Sequence, residues 1–470
     1  MDRYLNENEL LENKLALNII LKYYKSNLIS ESSHKYENLE YMLLNLIPAR
    51  GLNYRFITLK ENWYKNCTGA LIGKMKSGET VVFLPKVLSG YKYINCKTKE
   101  VHNVTKKSVD LFESAAIAFN KSLPEKALTI LDFFKYMISI VPFSKYILLF
   151  LANLIVSLLG LVLPRVNNLI FSDIIINKSY NKLLSVTYVL FLITTAEILF
   201  TIISRTFVYN IRTIISVSSQ NALMSRILSL PVSFFKKYSS GDIAKRLQNF
   251  ISVISVMIDT IAITILSVLF SSIYIIQIAR ITPTLSIPVL ILSLVMLICI
   301  TLFIILQTKV YIKMNKNDVK VSSKFFSLIC GIQKLKLAGA EEKAFSYWNE
   351  SYKKSAKLLY NPPFILKIQT SFGLISSYAS TIIIYCIAAA SNISIASFMS
   401  FIIAFNMITA SLTSLANISI VFAQFYSTIK ILDPILSTIP DYNYNNQITQ
   451  KLSGNIKLNN VSFKYSEKSK

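Results

Sequence analysis

The sequence predicts a polytopic α-helical membrane protein preceded by a small α+β domain, and three observations carry that prediction. Hydrophobic residues fill 53% of the 470 positions and charged residues only 16%, where a soluble chain carries roughly a quarter charged residues. The mean hydropathy of +0.47 comes from long apolar runs in the later three-quarters of the chain, each long enough for a helix that needs ~20 residues to cross a bilayer. Residues 1–125 are instead mixed and Lys-rich, so the two regions face different solvents.

No cleavable signal peptide opens the chain, because Glu7, Glu9 and Glu12 interrupt the leucines where an apolar core should follow a basic start. The N-terminus is expected to stay in the cytoplasm. Helical character at 9–24 and 37–47 gives way to short alternating runs at 54–59, 80–84 and 91–94, separated by glycines, which is an α+β pattern. The segment from Gly73 to Thr80 has the glycine spacing of a phosphate-binding loop. Glu79 occupies the position of the phosphate-contacting lysine and would repel the ligand, so the segment reads as a Lys-rich turn between strands. No other segment supplies a phosphate loop, and ATP hydrolysis is not expected of these residues alone.

Residues 128–141 place Leu131, Phe134, Met137, Ile138 and Val141 on one side, with Asp132 and Lys135 elsewhere and Pro142 as the stop. This predicts a helix lying in the membrane interface, the alternative being a cytoplasmic helix packed on its own domain. Six spans follow at about 146–170, 183–208, 251–278, 285–306, 364–388 and 395–425. The links between them alternate short and long. The long ones, 209–250 and 307–363, are rich in lysine and arginine where the short ones hold only Lys178, Lys182 and Arg280, which places both long links in the cytoplasm together with both chain ends. These links keep apolar residues at helical spacing, so they continue the helices. Pro231 opens a short transverse helix at 232–237, with Gly241 expected just past its end.

The formal net charge of +25 sits in the N-terminal region and the long links, as expected of loops facing anionic lipid. Nucleic acid is therefore excluded as the expected partner. The cysteines (Cys67, Cys96, Cys299, Cys330, Cys386) form no close pair, which argues against a disulfide or metal framework. Glu197 lies inside the second span, where a carboxylate is costly enough to mark a pathway candidate. Asn406, Asn417 and Gln424 in the last span are candidates for the same path, with helix packing as the alternative role.

These residues carry a family resemblance. Leu230, Pro231, Val232, Ser233, Phe234 and Phe235, then Ser240, Gly241, Asp242, Ile243, Arg246 and Leu247, are similar to the first intracellular loop of ABC exporters. The stretch from Gly331 to Glu341 is similar to the second loop, and residues 454–465 resemble the opening strand of the nucleotide-binding domain. One departure is visible, since residues 247–250 lack the usual Asp after Arg246. The resemblance implies a six-helix ABC-type transmembrane domain at 126–442, preceded by a domain at 1–125 and followed by the truncated start of an ATP-binding domain at 443–470. It further implies coupling helices at 232–237, with Phe234, Phe235, Gly241 and Asp242, and near 317–324, with Asp318. Tyr465 is implied as the aromatic that stacks on adenine, with ATP and Mg bound only by a complete complex.

Trp63, then Gly69 to Ile72, Thr80 to Leu84 and Tyr91 to Asn95, resemble in their order the papain-like peptidase domain of bacteriocin and microcin exporters, nearest to the nitrile-hydratase-leader microcin systems. The catalytic parts depart from that pattern. No cysteine occurs in residues 1–50, Glu79 and Thr80 stand where the histidine should precede Val81 and Val82, and Asn95 and Cys96 replace the Asp-Pro pair. The expectation is a degenerate peptidase fold in one half of a homo- or heterodimeric exporter of a bacteriocin-type peptide. It would sit in the bacterial plasma membrane, with its nucleotide-binding domain in trans or lost. The alternatives are a leader-peptide cysteine peptidase using Cys67 with His102 or His34, a non-transporting remnant, and lipid or drug as cargo.

Overall fold

The computed structural model describes residues 7–29, 39–65, 69–86, 90–391, 393–441, 454, 457 and 459–461. Helix α1 (Glu7–Tyr23) opens it, followed by a single turn, α2 (Leu39–Tyr41). Strands β1 (Leu52–Thr58), β2 (Leu71–Met75), β3 (Thr80–Pro85), β4 (Tyr91–Asn95), β5 (Val101–Asn103) and β6 (Phe112–Lys121) then form one antiparallel sheet in the order β1-β6-β2-β3-β4-β5. The continuous apolar run of β3 reflects its interior place: Val82 and Leu84 join Ala16, Leu17, Ile20 and Leu21 of α1, while Val81 and Phe83 join Tyr91, Tyr93 and Phe112 on the other face. The Lys-rich turn is a β2–β3 hairpin, with Gly78 at φ +90°, a conformation that glycine adopts without a steric penalty. Strands β2, β5 and β6 extend the three alternating runs expected from the sequence.

Helix α3 (Ile130–Ile140) begins with a capping box, in which Thr129 accepts from the Asp132 amide and Asp132 from the Thr129 amide. Its inner face, Phe133, Tyr136 and Met137, packs into the helical core, and Leu131 and Ile138 point outward. The apolar residues expected on one side are therefore split, Met137 and Val141 being buried while Leu131 and Ile138 are exposed. Helices α4 (Phe143–Gly160) and α5 (Val162–Leu169) follow, then α6 (Tyr180–Leu228), α7 (Val232–Lys237), α8 (Ser240–Ile281), α9 (Pro283–Cys330), α10 (Ile332–Leu337), α11 (Glu341–Tyr360), α12 (Phe364–Ala389) and α13 (Ile395–Ser437). Among the described residues, five helical stretches are long and apolar enough to cross a membrane, and α8 adds the shorter apolar stretch Leu266–Ile281. Helix α13 is central, packing on α5, α8, α9 and α12, while α4 pairs with α6.

The sheet, α3 and the end of α13 meet at Arg226. Its side chain is 4% exposed and donates to the carbonyls of Pro124 (2.8 Å), Lys126 (2.8 Å), Ile435 (3.1 Å), Leu436 (2.7 Å) and Thr438 (2.9 Å). The Leu128 amide adds a bond to the Leu436 carbonyl at 2.9 Å, and the Asp441 amide one to Ser229 at 2.8 Å. Arg226→Met leaves several buried acceptors unpaired, each worth about 1–3 kcal/mol. Its thermal unfolding midpoint in detergent should fall by several degrees, with little rescue by Arg226→Lys, whose single ammonium cannot span the acceptors. An unchanged midpoint for Arg226→Met would contradict this role.

Candidate functional site

Helix α7 forms the tip of the hairpin made by the long extensions of α6 and α8. Pro231 sets its start, and the two phenylalanines point in different directions. Phe234 is buried against the helical core, its ring 4.9 Å from that of Tyr238, whereas Phe235 is 44% exposed and Val232 71%. Asp242 accepts from Arg246 Nε at 2.6 Å. Arg246 in turn donates to the Ile431 carbonyl of α13 and lies 5.1 Å from the Tyr238 ring centroid. Phe234 and Asp242 thus anchor the tip, while Val232 and Phe235 face outward.

Gly241 does not terminate α7. Ser239 caps α8 by accepting from the Asp242 amide at 3.2 Å, so Gly241 falls in the first turn of α8. Its lack of a side chain serves close approach: an added Cβ would lie 2.6 Å from Phe326 Cβ and 3.3 Å from Ser323 Cα. Ser239 and Ser323 also share a hydroxyl–hydroxyl bond of 2.6 Å.

The second short helix is not at 317–324. That segment is the interior of α9, because no glycine or proline stands between Pro288 and Gly331. Asp318 accepts from Ser355 and so ties α9 to α11. The separate short helix is α10, flanked by Gly331 and by Gly339 at φ +55°. Contact of Ser323 and Phe326 with the start of α8 brings this second tip to the same end of the molecule as α7. Its Leu337 is 89% exposed.

Three of the span candidates, Asn406, Asn417 and Gln424, fall on one face of α13 by helical spacing, and the fourth, Glu197, lies on α6. Glu197 is half-buried on α6, Asn406 is exposed on α13, and Gln424 hydrogen-bonds to Tyr311 of α9. Asn417 lies on α13, its side chain outside the described residues. An ion pair that sequence reasoning did not single out joins Arg212 of α6 to Asp259 of α8; a lone aspartate within an apolar run was its signal. Tyr465, Cys67 and His34 lie outside the described residues, as does most of 454–465.

In the N-terminal domain, a polar network joins α1 to the sheet. Thr80 Oγ1 donates to Asn13 Oδ1 at 3.2 Å, the Thr80 amide to Glu12 at 3.3 Å, and Asn95 Nδ2 to Glu79 at 2.7 Å. The hydrogen bond from Asn95, then Lys97 at 3.3 Å, hold the Glu79 carboxyl below its ordinary range. Burial pushes the neighbouring Cys96 thiol up to about 12, so it stays protonated at neutral pH and is a poor nucleophile. His102 pairs with Glu100 at 3.2 Å, its ring centroid 5.5 Å from that of Tyr93.

The family model described as "ABC transporter transmembrane region" matches residues 146–429. A comparison with curated proteins finds no match. Among solved structures, the chain is similar to a bacterial Atm1-family ABC exporter with ATP bound, at a TM-score of 0.50 and 12% identity. The match covers 62% of this chain and 52% of that one, so the chain spans about half the length of that exporter. At this identity the likeness speaks for the fold alone.

Two outcomes test the site. Gly241→Ala gains up to about 1 kcal/mol of helix propensity, but the clash with Phe326, at Cβ rather than a flexible end, costs about 1–3 kcal/mol. A net loss of stability should appear in thermal melts, with no rescue by Phe326→Ala, which keeps the clashing Cβ; a melt like that of the parent removes the close-approach argument. For Glu79, a depressed folded pKa means that the ionised carboxylate stabilises the domain above its ordinary value of 4.5, and this stabilisation is lost as the pH falls through the folded pKa. Glu79→Gln should therefore be less stable than the parent at neutral pH, with the difference shrinking below about pH 4. A difference independent of pH would refute the assignment.

Proposed function

Because the chain belongs to the ABC transporter transmembrane-region family, we propose that it is the membrane subunit of an ATP-driven exporter working by alternating access. The observation that carries this reading is the pair of hairpin tips at one end of the molecule, α7 and α10, each offering apolar side chains to a partner. Val232, Phe235 and Leu337 are the contacts through which ATP-binding domains, closing on ATP and Mg, would pull the long helices as levers. The levers are braced against bending, since Arg246 binds the first tip to α13, and Asp318 with Ser355 binds α9 to α11. A rigid-body switch between two arrangements needs such continuity. The set of spans here is one half of a pathway, completed by an identical chain or a related partner in a bacterial plasma membrane, with both ends on the cytoplasmic side.

The proposed cargo is a peptide of the bacteriocin type, and the N-terminal domain is its docking element. The positions where the peptidase resemblance requires cysteine, histidine and aspartate fall on α1, before Val81, and at Asn95. Asn13, Glu79, Thr80 and Asn95 form a hydrogen-bonded cluster there. Asn13, Thr80 and Asn95 are buried in these bonds, so the cluster stiffens the domain at the place of the catalytic groups, and a leader would dock there without a thiolate to cleave it.

With a cognate ATP-binding partner reconstituted in vesicles, Phe235→Asp and Leu337→Asp should each reduce ATP-dependent peptide uptake on the order of tenfold, the size of a typical coupling free energy. Nucleotide binding to the isolated partner stays the same. Uptake unaffected by both substitutions would remove the tips from the coupling path.

A further inference from the structure

Two cavities meet beneath α3. One, of about 700 Å³, lies between α3, α4, α6 and α8 and is lined by apolar side chains, among them Phe150, Val208, Met257 and Leu266. The other, also of about 700 Å³, runs from α3 to the N-terminal domain; most of its wall is apolar, but Lys25, Lys121 and Ser139 make its far end polar and cationic. Ile138, Phe143 and Tyr146 line both, so the two form one bipartite space, apolar at one end and basic at the other. Each half is within the roughly 300–1,000 Å³ of small-molecule sites.

We propose that this space is a binding site for one anionic phospholipid, its acyl chains in the apolar crevice and its phosphate between Lys25 and Lys121. The setting selects that occupant. Leu131, Ile138 and Phe143 are exposed on the outer side of this seam, continuous with the apolar surface of the spans, so bilayer acyl chains are the solvent at the crevice mouth. The basic half asks for an anion. Lys121 donates to Ser139 at 3.3 Å, and neither lysine has a carboxylate partner among the described residues. Burial, then the nearby Lys25 charge, lower the Lys121 pKa, as expected of two cations awaiting a counter-charge. A peptide would have to bury its backbone polar groups in the apolar half; a lipid tail has none to bury.

The bound lipid would fill the gap between the sheet and the spans at the point where α3 joins them. It follows from the cavity and the membrane setting, whatever the cargo.

The full chain, purified in detergent, is loaded from nanodiscs of phosphatidylglycerol or phosphatidylcholine and its retained lipid counted by native mass spectrometry. One phosphatidylglycerol per chain should survive conditions that strip phosphatidylcholine. A lysine near an anionic headgroup changes affinity about fivefold, so Lys25→Gln/Lys121→Gln should weaken retention about thirtyfold. Met257→Trp, which fills the crevice without touching the lysines, should also expel the lipid. Equal retention of the two lipids, or retention unchanged by the double substitution, overturns the proposal. So does selectivity that survives in Met257→Trp and is abolished by inorganic phosphate, which would assign the lysine pair to a free anion.

Discussion

A buried guanidinium ordinarily faces a carboxylate, and Arg226 faces five backbone carbonyls instead. Three of them, from Ile435, Leu436 and Thr438, belong to the last turn of α13 and its cap. There the helix leaves its final acceptors without amide donors, and the macrodipole concentrates partial negative charge. The other two come from the linker between β6 and α3. One cation therefore neutralises a helix end and captures the strand of chain that delivers the N-terminal domain to the spans. Because every acceptor is main chain, the arrangement depends on backbone path, which ties the positions of β6, α3, α6 and α13 to one another.

The rest of the helical assembly builds outward from that knot. Phe133 of α3 packs on Phe250 of α8 with ring centroids 5.5 Å apart, and Phe134 on Phe425 of α13 at 5.2 Å. The seam toward the sheet is made of polar contacts instead: Tyr136 donates to the Lys121 carbonyl at 2.5 Å, and the Lys121 ammonium reaches Ser139. On the membrane side α3 is held by close packing, which resists gradual deformation. On the domain side it is held by directional bonds that fix orientation over a small area.

The architecture was legible in the sequence wherever a strong local signal existed. Apolar runs marked the spans, and Pro231 located α7 to the residue because proline at a helix start fixes φ and needs no donor. The α10 tip was misplaced into the interior of α9, although Gly331 and Gly339 were its punctuation, because the charged, apolar-spaced 317–324 segment looks the same whether it ends a helix or continues one. Strand β6 carries Ala115, Ala116 and Ala118, residues of weak strand preference, and is held by β1 and β2 on either side. Arg226 could not be singled out at all: among so many lysines and arginines its charge satisfied the positive-inside pattern, and only the packed structure shows it buried.

The same distinction separates the two kinds of residue at the α7 tip. Phe234 and Phe235 are neighbours of one type, yet helix geometry turns them about 100° apart, so one side chain enters the core and the other leaves it. Gly241 and Asp242 likewise serve the interior, one by letting α9 approach and the other by orienting Arg246 toward α13. Under the proposed coupling role, such a tip would have to be fixed to its levers before it could grip anything else, and most of the side chains that distinguish this segment are committed to that fixing. What stays exposed is a small outward set, Val232 and Phe235 here and Leu337 on α10.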